Sequence, residues 1–382
     1  MTKTSYLLMM LLTALGLASC IDEYNAELPG TDTELLVVEG NIFADTDCEF
    51  HLSWTFPLNE NSNNVQWVTG ARVRVCGSDG MSCDAVEWND SYSVHVGTLD
   101  DNVEYWVEIE LPDGDHYKSD PQKPLHAPAI TEVSFAQPRE DLDVDIMISA
   151  EPDPNGKVQH LRWTYSETWE VHAAFDPDYE YDPKSDKIIP IRERTGKGWV
   201  TTRSKGNFVA SSLNYVGHCF SGHRVYSIPF EGNNNRLTVL YRTRIRQYAI
   251  SQEQYEYEDA RQQIGYEMGG LFSPLPSELI GNVRSTNSSH RALGFVSCGF
   301  PTEAELYISS KEVKFLAPKP GRTLTADDIA GRSDKRLYDD GYGVVFYDPT
   351  GISETKWATR SSLDVRLLGA SLERPAGWGI IE

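Results

Sequence analysis

Cys20 is the residue whose neighbours define its chemistry most closely. Leu17-Ala18-Ser19 lead into it, behind Lys3 and the apolar run Leu7 to Leu12. That is a short positive segment, a hydrophobic stretch too brief to cross a bilayer, and a small-residue cleavage site. The pattern predicts a lipobox: small side chains let the signal peptidase approach, and the thiol takes a diacylglycerol. Residues 1–19 then read as a signal peptide, and Cys20 as a lipid anchor rather than a disulfide partner. Each buried methylene of an acyl chain such as palmitate contributes about 0.8 kcal/mol, so several chains hold firmly.

Five cysteines remain, Cys48, Cys76, Cys83, Cys219 and Cys298, an odd number for a disulfide-permissive compartment, so at least one is expected free. Cys76 and Cys83 flank the turn sequence Gly77-Ser78-Asp79-Gly80 and are a candidate disulfide; Cys219 with Cys298 is the other. Neither spacing resembles a zinc site.

Catalytic constellations are sparse. Glu167 and Glu170 could divide acid and base work in glycosidic chemistry, but on a strand they point to opposite faces. His218-Cys219 with His223 is the nearest approach to a metal or nucleophile cluster, at a spacing that fits no standard site. Asp141, Asp143 and Asp145 alternate and share a strand face, without the glycine turn of a calcium loop. No nucleophile elbow, phosphate-cradling glycine loop or His-Glu-x-x-His helix occurs. The chain therefore reads as non-enzymatic, with no cofactor and no metal.

A binding role has better candidates. Between Glu170 and Lys197 runs a long acidic and aromatic excursion, and loops of that size are usually functional or disordered. Trp169, Phe175, Tyr179 and Tyr181 are its candidate ligand contacts, because exposed rings beside carboxylates stack on flat or cationic groups. An ordered flap or mobile loop is the alternative. Trp163, Tyr165 and Trp169 fall on one strand face, where a sandwich core is the expected fate.

The elements that would hold these residues are mainly β. Residues 20–33 carry Asp, Glu, Asn, Pro29 and Gly30 and read as a lipidated tether. Leu35 to Gly40, Glu49 to Phe56, Ala71 to Val75, Val103 to Leu111 and His116 to Asp120 have strand patterns punctuated by turns such as Pro112-Asp113-Gly114. Short strands at such spacing predict an immunoglobulin-like or transthyretin-like β-sandwich over 34–126. Ile130 to Phe135, Asp143 to Ile148, His160 to Trp169 and Leu237 to Ile250 predict a larger β-rich domain over 127–382. It carries one main helix at about 252–268, opened by a Ser251/Gln254 capping box. Tyr257, Ala260, Ile264 and Met268 give that helix a core-facing stripe. Tyr342 to Tyr347 and Asp364 to Leu368 look β-like, which keeps the C-terminal tail with this domain.

Bulk properties narrow the class. The 382 residues are 40% hydrophobic and 11% aromatic, with 19 Tyr and 9 Trp, which requires a folded protein. A formal charge of -23 argues against nucleic acid and against adhesion to anionic lipid. Solubility in a crowded envelope is its simplest meaning, and attraction to a cationic ligand or partner is the alternative.

Three separated stretches carry a resemblance: Leu36-Val37-Val38-Glu39-Gly40, then Arg162-Trp163-Thr164-Tyr165-Ser166-Glu167-Thr168-Trp169-Glu170, then Gly270-Leu271-Phe272-Ser273-Pro274-Leu275-Pro276 through Gly281-Asn282-Val283. With the lipobox, they resemble an uncharacterised Bacteroidota outer-membrane lipoprotein family known only as domain of unknown function 4249. Its usual cysteine pair before a closing Pro and Trp is missing here: Leu363, Asp364 and Val365 occupy that place, while Pro375 and Trp378 remain. The resemblance implies an outer-membrane lipoprotein, lipid-anchored and facing the cell exterior, as Asp22 and Glu23 just after the cysteine accompany surface display in such proteins. It also implies a TonB-dependent β-barrel transporter as partner and nutrient capture as the role. A structural or adhesive surface lipoprotein is the alternative, and a hydrolase the third reading.

Overall fold

The computed structural model describes residues 35–55, 65–204, 206, 208–232, 235–267, 279, 281–286, 291–316 and 321–379. The expected signal peptide, Cys20, the expected tether and residues 270–278 of the third motif lie outside the described residues. The chain is mainly β, as its patterning requires.

Strand β1 (Leu36–Glu39) is followed by β2 (Ile42–Phe43), β3 (Thr46–Trp54), β4 (Gln66–Trp67), β5 (Arg72–Gly77), β6 (Ser82–Asp84), β7 (Val86–Trp88) and β8 (Ser91–Val96). Then come β9 (Tyr105–Glu110), β10 (His116–Ser119) and β11 (Leu125–His126). Period-two burial explains them: in β9, Tyr105, Val107 and Ile109 are buried while Trp106, Glu108 and Glu110 turn outward. One sheet orders β1-β3-β8-β7 with β4 on β3, and the other orders β10-β9-β5-β6. Leu36, Phe50, Leu52, Val75, Val94 and Ile109 fill the space between them. This is a two-sheet sandwich.

The second region opens with β12 (Ile130–Ala136), β13 (Val144–Ala150) and the long β14 (His160–His172). A hairpin of β15 (Tyr179–Asp182) and β16 (Lys187–Pro190) precedes β17 (Lys197–Arg203), β18 (Phe208–Ser211), β19 (His223–Ile228) and β20 (Leu240–Ile250). The helix Gln252–Glu267 follows, and the Ser251 hydroxyl accepts the Gln254 amide at 3.2 Å, so the N-cap half of the expected box forms, while the buried Gln254 side chain has no hydrogen-bond partner and the reciprocal half does not. Its buried positions include Gln254, Tyr257 and Glu258, a more polar face than the apolar stripe suggested. Ile264 and Met268 lie outside the described side chains.

The chain then returns to the first sandwich. Strand β21 (Val283–Ser285) pairs with β10, β22 (Ala292–Leu293) runs parallel to β1, and β23 (Cys298–Phe300) bridges β2 and β11. Strands β21, β22 and β23, which sequence patterning assigns to the second domain, therefore complete the first. Asn282 staples this return: its Nδ2 donates to Val296 O at 2.7 Å, and its Oδ1 accepts Val296 N at 2.8 Å. Gly281 must be glycine, because a β-carbon there would collide with the Gly294 carbonyl.

Strand β24 (Thr302–Ser309) closes the sheet β17-β14-β20-β24, in which β18 also pairs with β14. That sheet packs on β12-β13-β19 through Ile146, Leu161, Trp163, Val171, Tyr241 and Ile245. A hairpin of β25 (Tyr342–Phe346) and β26 (Lys356–Thr359) joins the β15-β16 hairpin around Tyr181, Leu337, Val344 and Trp357. Val365–Leu368 is a 3₁₀ turn capped by Asp364, not the expected strand.

Neither candidate disulfide forms: Cys48, Cys76, Cys83, Cys219 and Cys298 are all free. In the β5-β6 ladder Cys76 faces Ser82 and Cys83 faces Val75. The two thiols sit on adjacent rungs and project from opposite faces. Cys298 belongs to the first core, while Cys219 adjoins Phe220 of the second. Burial pushes the Cys298 thiol up to about 12, with no anionic tendency to spare for chemistry.

Candidate functional site: a cleft between two β bodies

Strand β14 has two unlike faces. Leu161, Trp163, Trp169 and Val171 enter the second core, as expected for that face. The opposite face carries His160, Arg162, Thr164, Ser166, Thr168 and Glu170. Register with β20 sets Tyr248 opposite Arg162, Arg246 opposite Thr164, Arg244 opposite Ser166 and Arg242 opposite Thr168. Directly opposed residues share a face, so three arginines form a ladder across this polar surface. Next along the sheet, β24 sets Glu303 opposite Arg246 and Glu305 opposite Arg244, and both pairs form ion pairs.

The first body covers this surface. Phe43 stacks on Tyr248 with ring centroids 4.7 Å apart, and Glu49 reaches Arg203 at 3.9 Å. Between the bodies lies a cavity of about 620 Å³, lined by Asn41, Phe43, Glu49, His51, Arg162, Tyr165, Arg203, Arg244 and Arg246 among others. A second cavity of about 180 Å³ continues it toward the helix, sharing Gly40, Asn41, Arg162, Thr164 and Ser204.

Among the described residues Arg162 alone of the arginines is buried. It is 7% exposed, its guanidinium lies 4.7 Å from the Tyr248 ring centroid, and its Nε is buried without a hydrogen-bond partner. Among the described residues it makes no ion pair. Glu39 and Glu258 lie near, but both are engaged by Arg261, at 2.9 and 3.2 Å. Burial pushes the Arg162 pKa down, yet a guanidinium keeps its charge in proteins.

The far end of the same face is satisfied. Glu170 accepts Lys197 at 2.7 Å and Trp378 Nε1 at 3.1 Å, with His172 Nε2 at 2.6 Å. Burial works to raise its pKa, but those contacts outweigh it and hold the carboxyl below its ordinary range. Glu167, on the core face, accepts the Tyr241 hydroxyl at 2.7 Å and pairs with Arg236 at 3.2 Å. Each carboxylate is committed to protein partners, and the two do not share a site.

The residues singled out in the sequence land elsewhere. Trp169 is a core side chain with the Arg236 guanidinium over its ring at 5.1 Å, so its ring is not a stacking platform. Tyr181 is buried and donates its hydroxyl to Asp186 at 2.5 Å. Tyr179 and Phe175 are half-buried. The excursion is thus an ordered hairpin with its own small core, and Tyr179 and Tyr181 line a groove of about 370 Å³. His223 shares a 2.6 Å hydrogen bond with Tyr215 and stacks on Trp163, while His218 projects outward. Asp143 accepts the Phe230 amide, and Asp145 accepts Ser227. Among the described residues no three His, Cys, Asp or Glu side chains gather to hold a metal.

The arginine ladder was written in the sequence as Arg242-Thr243-Arg244-Ile245-Arg246, cation at every second position. That signal would have found it. Its partner surface, the β2-β3 region, has no local signature.

No curated protein matches the chain. Among solved structures, a two fibronectin type III domain segment of chicken tenascin is 15% identical, covering 57% of this chain and 93% of that one, with a TM-score of 0.15. At that score the likeness carries no argument, and the sandwich assignment rests on the strands themselves. The family model for a domain of unknown function, DUF4249, matches residues 21–305, well over half the chain and including both β bodies' contributions to the cleft. This protein belongs to the DUF4249 family.

Proposed function

We propose that this protein is a non-catalytic, lipid-anchored capture protein of the outer membrane, working beside a TonB-dependent β-barrel transporter, with the cleft between its two β bodies as the ligand seat. The observation that carries the reading is the cleft itself: about 620 Å³ of polar, arginine-lined space, the size of a small-molecule site. The lipobox at Cys20 supports attachment, and the acidic residues after it support an exterior face. Glu167 and Glu170, the carboxylates best suited to hydrolysis, are each held by two or more protein donors, which supports binding over catalysis.

A second reading has its own observation. Strand β7 exposes Val86 and Trp88, the latter 73% accessible, with Trp67 half-exposed nearby. An apolar edge of this kind favours protein contact and would suit an adhesive or structural surface lipoprotein. The test is recovery of the tagged lipoprotein from mildly solubilised outer membranes. A stoichiometric transporter barrel supports capture; the lipoprotein alone, or a different surface protein, supports the adhesive reading.

A further inference from the structure

We infer that the Arg162 end of the cleft is an anion seat and that the captured ligand bears a carboxylate. The inference rests on the reading that the cleft is the ligand site. The argument begins with charge satisfaction. Arg244, Arg246 and Arg261 each have a carboxylate partner, whereas Arg162 has none among the described residues. A buried ionic group without a partner is costly, and native structures retain one only where something completes it.

Geometry supplies the rest. Tyr248 covers the guanidinium, with Arg162 at 4.7 Å from the ring centroid, which leaves the N–H edge to donate. The residue lines both connected cavities, so a ligand in either reaches it. Beside it, the Thr164 and Tyr248 hydroxyls share a 3.2 Å hydrogen bond, which leaves one O–H proton of the pair to donate to a ligand. A guanidinium presents a planar fork of donors that matches a planar carboxylate through two parallel bonds. Phosphate and sulfate oxygens can meet the same fork, so titration with sulfate decides between the anion classes. Phe43 lines the larger cavity and offers aromatic surface for the remainder of the ligand, whereas the Tyr165 ring is stacked on Tyr226 in the second core.

Isothermal titration of the full-length lipoprotein in detergent with citrate tests this, against uncharged triethyl citrate and against sodium sulfate at equal ionic strength. Wild type is expected to bind citrate, to ignore triethyl citrate, and to bind sulfate more weakly. Arg162→Met lowers citrate affinity at least tenfold, and Arg162→Lys, which keeps the charge but loses the fork, falls between. Equal citrate affinity in wild type and R162M overturns the inference, as does the absence of citrate binding by wild type. Sulfate bound more tightly than citrate overturns the carboxylate assignment. Should R162M fold poorly, a citrate-induced shift of the Arg162 Nε–H resonance in wild type, assigned by its loss in R162K, replaces it; no shift overturns the inference. A transporter that co-purifies while citrate fails removes only the anion seat, whereas citrate at Arg162 with no transporter recovered removes only the transporter role.

Discussion

Two ends of one strand face treat buried charge in opposite ways. Glu170, near the end of β14, is 7% exposed and held by Lys197, Trp378 and His172. Arg162, near its start, is equally buried and, among the described residues, has an aromatic ring beneath it and no ion-pair partner. Where folding needs a charge in the interior, as at Glu170 and Glu167, this protein surrounds it with donors. The missing partner at Arg162 therefore points away from a structural role and toward the cleft.

The largest expected effect lies at the satisfied end. Glu167→Ala strands Arg236, whose side chain is largely buried, and leaves the Tyr241 hydroxyl without its acceptor. Breaking a buried pair in this way costs about 3–5 kcal/mol. Urea denaturation should show it as a lowered midpoint, and a loss under about 1 kcal/mol would erase the contrast on which the comparison stands.

Glu170→Gln should cost less, about 1–3 kcal/mol, because the amide keeps some hydrogen bonding and Lys197 is half-exposed. It also carries a pH signature. The folded carboxyl sits below its ordinary value of 4.5, so its stabilisation is complete above pH 4.5 and disappears as pH falls through the lower folded value. The variant should therefore lose part of the acid limb of the stability curve. An unchanged limb would place the acid sensitivity at other carboxylates.

A smaller and shallower slope comes from two histidines of the second body. Burial lowers the pKa of both His160 and His223 below the ordinary 6.5, with Arg224 adding to the effect at His223. Their neutral forms are favoured by folding. Unfolded chain then takes up protons first as pH drops below 6.5, and stability declines toward pH 5 by at most about 1.4 kcal/mol per pH unit for each histidine. Thermal unfolding of wild type against His223→Gln at pH 7.5 and 5.5 should show a flatter dependence in the variant, and parallel curves would refute the assignment.

How much of this was legible depends on how local the signal is. The β9 strand alternates so regularly that its buried residues follow from periodicity alone, and the Ser251 cap marks the helix start. The return of β21, β22 and β23 to the first sandwich was not legible, because they are short and their partners lie far away in sequence. The Cys76–Cys83 pairing failed on register: their separation places them on neighbouring rungs, and one rung reverses the face. Tyr181 illustrates the limit for ligand sites. Its acidic, aromatic surroundings look the same in sequence whether the ring faces a ligand or Trp357, and only packing decides. Alternating Arg242, Arg244 and Arg246 likewise resemble an ordinary solvated strand until a second body is set over them.

Arg162→Met should have the smallest effect on stability and the most informative sign. If Arg162 held the two bodies together, its removal would resemble Glu167→Ala in size. A guanidinium with no ion partner instead contributes desolvation cost against a single ring contact, and replacing a buried charge with an apolar side chain of similar length is often neutral or stabilising. In buffer free of carboxylates, the variant is expected to unfold within about 1 kcal/mol of wild type or at higher denaturant. Methionine can still pack its thioether against Tyr248, so the aromatic contact is not wholly lost. A loss of about 3 kcal/mol or more would show that the two ends of the strand face are alike after all, both built for folding, and Arg162 would no longer mark the cleft as a ligand seat.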